Sequence, residues 1–257
     1  MSILGVIPAR LESSRLPRKM LLDRTGQPLI QYAWSVAQQA SRLDAVVVAT
    51  DSDEIAAAVR QFGGEAVLTG ECASGTDRAA VVAASRPEFD LIVNLQGDEP
   101  EMDPTCLDQV ATCLQDSPAE MATLATPILE AREVNDPACV KVVCAADRRA
   151  LYFSRSVIPH LRDGNAEQWQ RDRDESDLKV SDCPWLLHLG VYAYRREFLL
   201  ALAEMPPSRL EQFEKLEQLR ALEAGARIDV AVTQHRSVGI DTADDYDRFV
   251  ARQRAST

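Results

Sequence analysis

Four cations and two hydroxyls crowd one short polar stretch near the N-terminus: Arg10, Arg15, Arg18 and Lys19, with Ser13 and Ser14 among them. Guanidinium forks, an ammonium and hydroxyls are the groups that hold phosphate oxygens. They follow the apolar run Ile3, Leu4, Val6 and Ile7, which Pro8 is expected to end because proline cannot donate to a ladder. So short a run predicts a buried strand. A loop leaving the carboxyl end of such a strand is where open α/β sheets bind ligands. On charge alone, a solvated basic surface is the better reading of the same loop.

Two aspartates stand in comparable places. Leu91 to Leu95 predicts another buried strand, and Gln96-Gly97-Asp98-Glu99-Pro100 follows it, with a glycine keeping the approach to Asp98 open. The plainer alternative is that Asp98 caps the turn before a helix that starts at Pro104. Glu99 and Glu101 are expected to be solvated acids. Asp241 lies in Gly239-Ile240-Asp241-Thr242, where it is expected to end a strand, or simply to precede a helix capped by Thr242-x-x-Asp245.

The elements that must position these groups alternate along the chain. Leu29, Ile30, Ala33, Trp34 and Ala37 have helical spacing after Pro28. Ala45–Ala49 predicts a strand, Asp51-Ser-Asp-Glu54 a capping box opening a helix through Val59, and Ala66–Leu68 a third strand. Ser74-Gly75-Thr76-Asp77-Arg78 has the form of a helix start. Alternating strands and helices predict an α/β fold with a mostly parallel, Rossmann-like sheet flanked by helices. Residues 1–257 are expected to form one domain, with about 127–187 as an inserted, partly irregular lobe. Met121–Thr126 and, within the lobe, Cys139–Val143 read as strands, Leu151–Pro159 mixes aromatics with an arginine and a closing proline, and His160–Asp182 reads as a polar surface loop. Leu210–Leu222 predicts one helix with Phe213, Leu216 and Leu219 on its apolar face; Glu217 and Gln218 then belong to a solvated face.

Composition narrows the function classes. The chain has 257 residues, 46% hydrophobic and 26% charged, with a net charge of −12. A broad nucleic-acid or anionic-membrane surface is therefore not expected, although a local cationic pocket can still capture a nucleotide. The six cysteines form no C-x-x-C pair and are expected to be free thiols in a reducing compartment. No leader pattern opens the chain, and no apolar run approaches the ~20 residues of a membrane span, so a cytoplasmic address is expected. The absence of Gly-x-Gly-x-x-Gly and Walker loops argues against dinucleotide enzymes and P-loop NTPases.

Taken together, Ile7-Pro8-Ala9-Arg10, Ser13, Arg15-Leu16-Pro17 and Lys19 resemble the opening signature of the sugar cytidylyltransferases, most closely those acting on 3-deoxy-manno-octulosonate (Kdo). Further matches follow in family order: Ser74 to Arg78, Gln96 to Pro100, Tyr152 to Arg155, His188 to Tyr192, Leu216 to Arg220, and Gly239 to Thr242. The resemblance implies a nucleotide-diphospho-sugar transferase fold and CMP transfer from CTP to Kdo, releasing pyrophosphate, for lipopolysaccharide synthesis. It implies that Pro8, Ala9, Arg10, Ser13, Arg15, Lys19, Ser74, Gly75 and Arg78 hold the nucleotide. Gln96, Arg155, His188, Tyr192, Glu217 and Gln218 would hold the sugar acid. Asp98 and Asp241 would ligate Mg²⁺ and, with Lys19, form the catalytic group. A homodimer is also implied, with its contact in the irregular middle third.

The sequence departs from the family at Leu187, usually arginine, at Arg236-Ser237-Val238, where another glycine is usual, and in a long 160–182 connection. By residue type alone, His188 is a core histidine of an apolar strand as readily as a ligand contact. Two other functions stay open: a cytidylyltransferase for another sugar acid (8-amino-Kdo or sialic acid), and a nucleotide-binding module without catalysis.

Overall fold

The first three apolar runs do become adjacent parallel strands. The structure, a computed structural model, describes residues 1–13, 15–171 and 183–255. In it β1 (Ile3–Ala9), α1 (Leu29–Gln39), β2 (Ala45–Thr50), α2 (Asp53–Gln61) and β3 (Glu65–Leu68) alternate, followed by α3 (Gly75–Ser85) and β4 (Leu91–Asn94). After α4 (Pro104–Gln115) and β5 (Met121–Pro127) come α5 (Ala131–Asn135), β6 (Lys141–Cys144), β7 (Ala150–Ser154) and α6 (Ala166–Arg171). The chain then continues through β8 (Leu186–Arg195), α7 (Arg196–Glu204), α8 (Arg209–Glu214), α9 (Gln218–Glu223), β9 (Ile228–Val232) and α10 (Ala243–Ala255).

The sheet order is β3-β2-β1-β4-β8-β5-β9. All of these neighbours are parallel except β8, which lies antiparallel between β4 and β5. The β6–β7 hairpin joins through β6 to one end of β8, off the main order. Strand alternation sends side chains to two cores. Ile7, Val93 and Leu124 meet α1 and α4 on one face. On the other, Val6, Ile92 and Val230 meet α3, α7 and α9.

Several expectations are corrected. Pro8 does not end β1: pairing with β2 runs on to Ala9↔Thr50. The β1–β4 ladder stops at Val6↔Asn94, so the missing N–H of Pro8 falls on the side where no partner remains. Ser52 rather than Asp51 caps α2, its side chain accepting from Ile55 N. Asp241 ends no strand. β9 stops at Val232, and Asp241 lies further on in an extended loop, held by Ile240 N donating to Asp98 O (2.9 Å). Arg236 anchors the same loop to Glu133 of α5 at 2.6 Å, which sets the path where a second glycine is absent. Part of the 160–182 stretch, Ala166–Arg171, is helical, Trp169 of α6 packing edge-on against buried Trp185; 160–165 are irregular, and 172–182 lie outside the described residues, as does Ser14.

The helix expected over 210–222 is two short ones. Lys215 takes a left-handed conformation (φ 54°) and turns the chain between α8 and α9. Leu216 and Leu219 are buried, but Phe213 is 72% exposed. A buried ion pair holds this corner together: Arg220 donates from Nε and Nη2 to Glu211 at 2.8 and 2.6 Å, and Glu211 closes a capping box with Ser208. Arg220 also reaches the carbonyls of Leu202 and Met205 at the end of α7.

Glu211→Ala leaves that guanidinium buried without its carboxylate and should cost about 3–5 kcal/mol, read from chemical denaturation. Burial alone would raise the Glu211 carboxyl, but hydrogen bonds from Arg220 and Ser208 outweigh it and lower its pKa. A lowered carboxylate stabilises above the unfolded range and loses that contribution as pH falls. The difference between parent and variant should therefore shrink on acidification below about pH 4.5; a gap constant with pH would show that the charge is not what matters there.

Candidate active site

The carboxyl ends of β1 and β4 open onto a cavity of about 370 Å³. One wall is the N-terminal polar loop, where Pro8, Ala9, Arg10, Ser13, Arg15 and Lys19 all line the space. The loop can stay extended there because β4 ends before Pro8 and leaves that side of β1 unpaired. Arg18, in contrast, takes a left-handed conformation and turns away to pair with Glu54 of α2.

The opposite wall is the start of α3. Ser74 caps the helix by accepting from Asp77 N at 3.1 Å. The remaining free N–H groups of the first turn form a partial positive end suited to an anion or a polar ring edge. Gly75 lines the cavity, and a Cβ there would lie 3.3 Å from Pro8 Cγ and 3.5 Å from Gln96 Oε1. That close packing keeps the gap between the two walls narrow. Arg78 reaches the cavity, but its guanidinium is committed to Asp51 (2.7 Å), Thr69 Oγ1 (2.6 Å) and Gly70 O (3.2 Å). It shapes the loop after β3 more than it offers a charge.

Asp98 and Asp241 meet at the floor. The Lys19 ammonium, almost wholly buried, lies 2.6 Å from Asp98 and 3.3 Å from Asp241. Arg15 sits 3.1 Å from the other oxygen of Asp241. Among the described residues no cluster of three or more His, Cys, Asp or Glu is arranged to enclose a metal ion. Two carboxylates converging beside phosphate-binding cations, both partly exposed, nonetheless match what Mg²⁺ takes: one or two carboxylates, completed by phosphate oxygens and water.

The residues assigned by resemblance to the sugar acid are split. Gln96 and Glu217 line the cavity; Arg155, His188, Tyr192 and Gln218 do not. His188 and Tyr192 stand next to it on β8, with rings 5.3 Å apart. Burial pushes the His188 imidazole down to about 3, so it is neutral at ordinary pH, and its Nε2 lies 3.0 Å from Thr123 Oγ1. Burial likewise raises the Tyr192 hydroxyl, helped by Tyr194, Glu217 and Glu99. Gln218 is 5% exposed, and its Nε2 has no partner among the described residues. Arg155 is set further off, donating from Nε to Glu214 O (2.8 Å) and from Nη1 to Pro137 O (3.0 Å). Lys141 supports it from below, its buried ammonium donating to Arg155 O at 2.8 Å.

Two residues were not legible as part of this region. Thr76 donates to Glu217 at 2.6 Å and so joins the α3 start to α9; its signal was only its place inside Ser74–Arg78. Glu99 is no solvated acid: it folds inward against Gly190, and burial, with Asp98 beside it, raises its carboxyl to about 7. Glu101 is not free in solvent either, being paired with Arg252 at 2.5 Å.

Comparison with known proteins agrees with this arrangement. The family model for cytidylyltransferases matches residues 4–228. A 3-deoxy-manno-octulosonate cytidylyltransferase of Rhodopirellula baltica is 46% identical over 254 residues, covering 98% of both chains. An 8-amino-3,8-dideoxy-manno-octulosonate cytidylyltransferase of Shewanella frigidimarina is 44% identical, covering 95% of this chain and 96% of its own. A solved CMP:2-keto-3-deoxy-manno-octonic acid synthetase in complex with CTP superposes with a TM-score of 0.88 at 37% identity, covering all of both chains. With a cation-lined cavity beneath the strand ends and a match running through nearly every element, the chain belongs to the cytidylyltransferase family.

Proposed function

We propose that this chain transfers CMP from CTP to the anomeric hydroxyl of Kdo and releases pyrophosphate, supplying an activated sugar for lipopolysaccharide synthesis. The observation that carries it is the junction of Lys19, Asp98 and Asp241 on the floor between a phosphate-suited loop and a strand bearing neutral ring hydrogen-bonding groups. Relatives named for Kdo transfer support the choice of acceptor.

In the reaction, the anomeric oxygen bonds to the α-phosphorus and the bond from that phosphorus to the β-bridging oxygen breaks. Pyrophosphate leaves with the bond electrons, and the hydroxyl proton passes to solvent. Arg10, Ser13 and Arg15 hold the triphosphate, with Ala9 and Pro8 as backbone wall. Ser74 and Gly75 bound the base, and Arg78 fixes the adjoining loop. Lys19 places its charge where the α-phosphate gains negative charge, a contribution that grows in the transition state. Asp98 and Asp241 would hold Mg²⁺, which when bound neutralises phosphate charge and acidifies the attacking hydroxyl. His188, kept neutral, serves as a hydrogen-bond partner and not as the base. Gln96, Tyr192, Glu217 and Gln218 orient sugar hydroxyls, and the carboxylate falls to Arg155 through Nη2, the nitrogen left over when Nε and Nη1 donate to the carbonyls of Glu214 and Pro137. Leu129 and Leu151, apolar yet 45% and 53% exposed, support a homodimer contact in the middle third. No helix among the described residues is long and apolar enough to cross a membrane; we place the enzyme in the cytoplasm, where CTP is made.

Pyrophosphate release from CTP, measured with a panel of sugar acids, tests the proposal: Kdo should be the preferred acceptor. Preference for the 8-amino analogue or for sialic acid would change the acceptor, and no release with any of them would leave only a nucleotide-binding module.

Asp98→Asn and Asp241→Asn should each lower turnover by at least ~100-fold at saturating Mg²⁺ with the fold intact, because charge neutralisation at the reacting phosphate is lost. Near-parental turnover in either would remove that residue from the metal assignment. Lys19→Ala should lower kcat and raise the KM for CTP while leaving sugar-acid binding nearly unchanged; steady-state kinetics in each substrate separates the two. Arg155→Lys keeps charge but loses the planar fork, and should weaken the sugar acid by about 10-fold or more at saturating CTP. Equal sugar affinity in titrations of parent and variant would return Arg155 to a backbone anchor.

A further inference from the structure

We propose that Glu99 is an additional sugar-binding residue, whose carboxyl group over Gly190 accepts a hydrogen bond from a hydroxyl of the sugar acid. The inference rests on the transfer reaction proposed above and adds a contact to it.

The geometry begins with strand alternation. His188, Gly190 and Tyr192 project to the same face of β8, so a glycine stands between two rings. A glycine inside a strand marks a place where another group approaches the backbone closely. Here two side chains do so. A Cβ on Gly190 would lie 3.1 Å from Glu99 Oε1 and 3.8 Å from Gln96 Cγ. Gln96 also lines the nucleotide cavity, and so stands between that cavity and the dimple over Gly190, which with Glu99 lies just outside the lining.

What surrounds the dimple is polar and unsatisfied. Glu99 Oε2 is buried with no formed hydrogen bond among the described residues, although the Ser237 hydroxyl is close enough to hold its carboxyl down in part. Both polar atoms of the Asn94 carboxamide, the register partner of Tyr192 across β4 and β8, Nε2 of Gln218 and Oγ of Ser237 are likewise buried without a formed hydrogen bond among the described residues. Buried polar side chains in folded proteins almost always find partners, and a group of orphans beside one cavity points to a polar ligand that supplies them. The electrostatics select its chemistry. Asp98 is the next residue along, so the site repels a second carboxylate and suits a neutral donor. A sugar acid must then lie with its carboxylate turned away from Glu99 and a hydroxyl towards it. Glu99 would thereby fix which way round the acceptor enters.

Wild-type pyrophosphate release from CTP and Kdo is measured first, because its absence overturns the transfer reaction itself. Glu99→Gln is then compared with the parent in Kdo and CTP titrations, with thermal melting as a control for folding. The expected result is a rise of about 10-fold in the KM for Kdo and less than twofold in that for CTP. Repeating the comparison with mono-deoxy Kdo analogues locates the contact. For one analogue, parent and variant should differ little, because the partner of Glu99 is already missing. An equal penalty for CTP and Kdo, or the same penalty for every analogue, would make Glu99 a structural residue. Gly190→Ala puts a methyl group against Glu99 and should raise the Kdo KM selectively as well. If Glu99→Gln fails to fold, Gly190→Ala decides: a selective rise supports the assignment and an unchanged Kdo KM overturns it.

Discussion

A buried ammonium needs anionic company, and the way Lys19 finds it organises the molecule. Its side chain is only 8% exposed, and an unpaired charge there would cost several kcal/mol. Asp98 and Asp241 supply two carboxylates from segments far apart in sequence, the loop after β4 and the loop after β9. The Ile240 N–H donating to Asp98 O fastens those two loops to each other. One cation thus fixes three stretches of chain at the mouth of the sheet. Arg15 meets the second oxygen of Asp241, so two acids and two cations balance at the junction, beside the remaining arginine of the loop. That juxtaposition separates a place for a cation from a place for phosphate within a single cavity.

The electrostatics of the whole chain conceal this arrangement. A net charge of −12 describes the surface, whereas the nucleotide side of the cavity is locally basic. Several arginines that look available in the sequence are engaged by neighbouring groups: Arg18 with Glu54, Arg78 with Asp51 and a carbonyl, Arg155 with two carbonyls. Counting cations therefore overstates the free positive charge, and their partners decide which ones face the cavity.

Much of the architecture was legible from local pattern. The β-branched run at Val46–Val48, the helical spacing after Pro28, and the Ser74 cap each express a preference that acts over a few residues, and tertiary packing leaves them intact. Nearly all of the cavity-lining residues lay in motifs that stand out as short strings. What could not be read depends on long-range partners. The break at Lys215 follows from Arg220 pulling α8 and α9 together through Glu211, and no spacing rule registers that pair. Glu99 reads as a solvated acid from sequence because Gly190, against which it packs, comes from β8. Asp241 seemed to end a strand because a short apolar string before an aspartate looks the same whether or not it pairs.

The antiparallel placement of β8 has a consequence for how the enzyme comes into being. β1 to β4 form a contiguous parallel block that is complete by Asn94. β8 must cross back from beyond the β6–β7 hairpin to fill the space between β4 and β5, which makes it the keystone of the second half. On a ribosome, the cradle for phosphate is therefore synthesised long before the surface that faces the acceptor, and Asp241 emerges later still. A nascent chain holding only its first half carries the N-terminal loop, the start of α3 and Asp98, but neither Asp241 nor the face of β8.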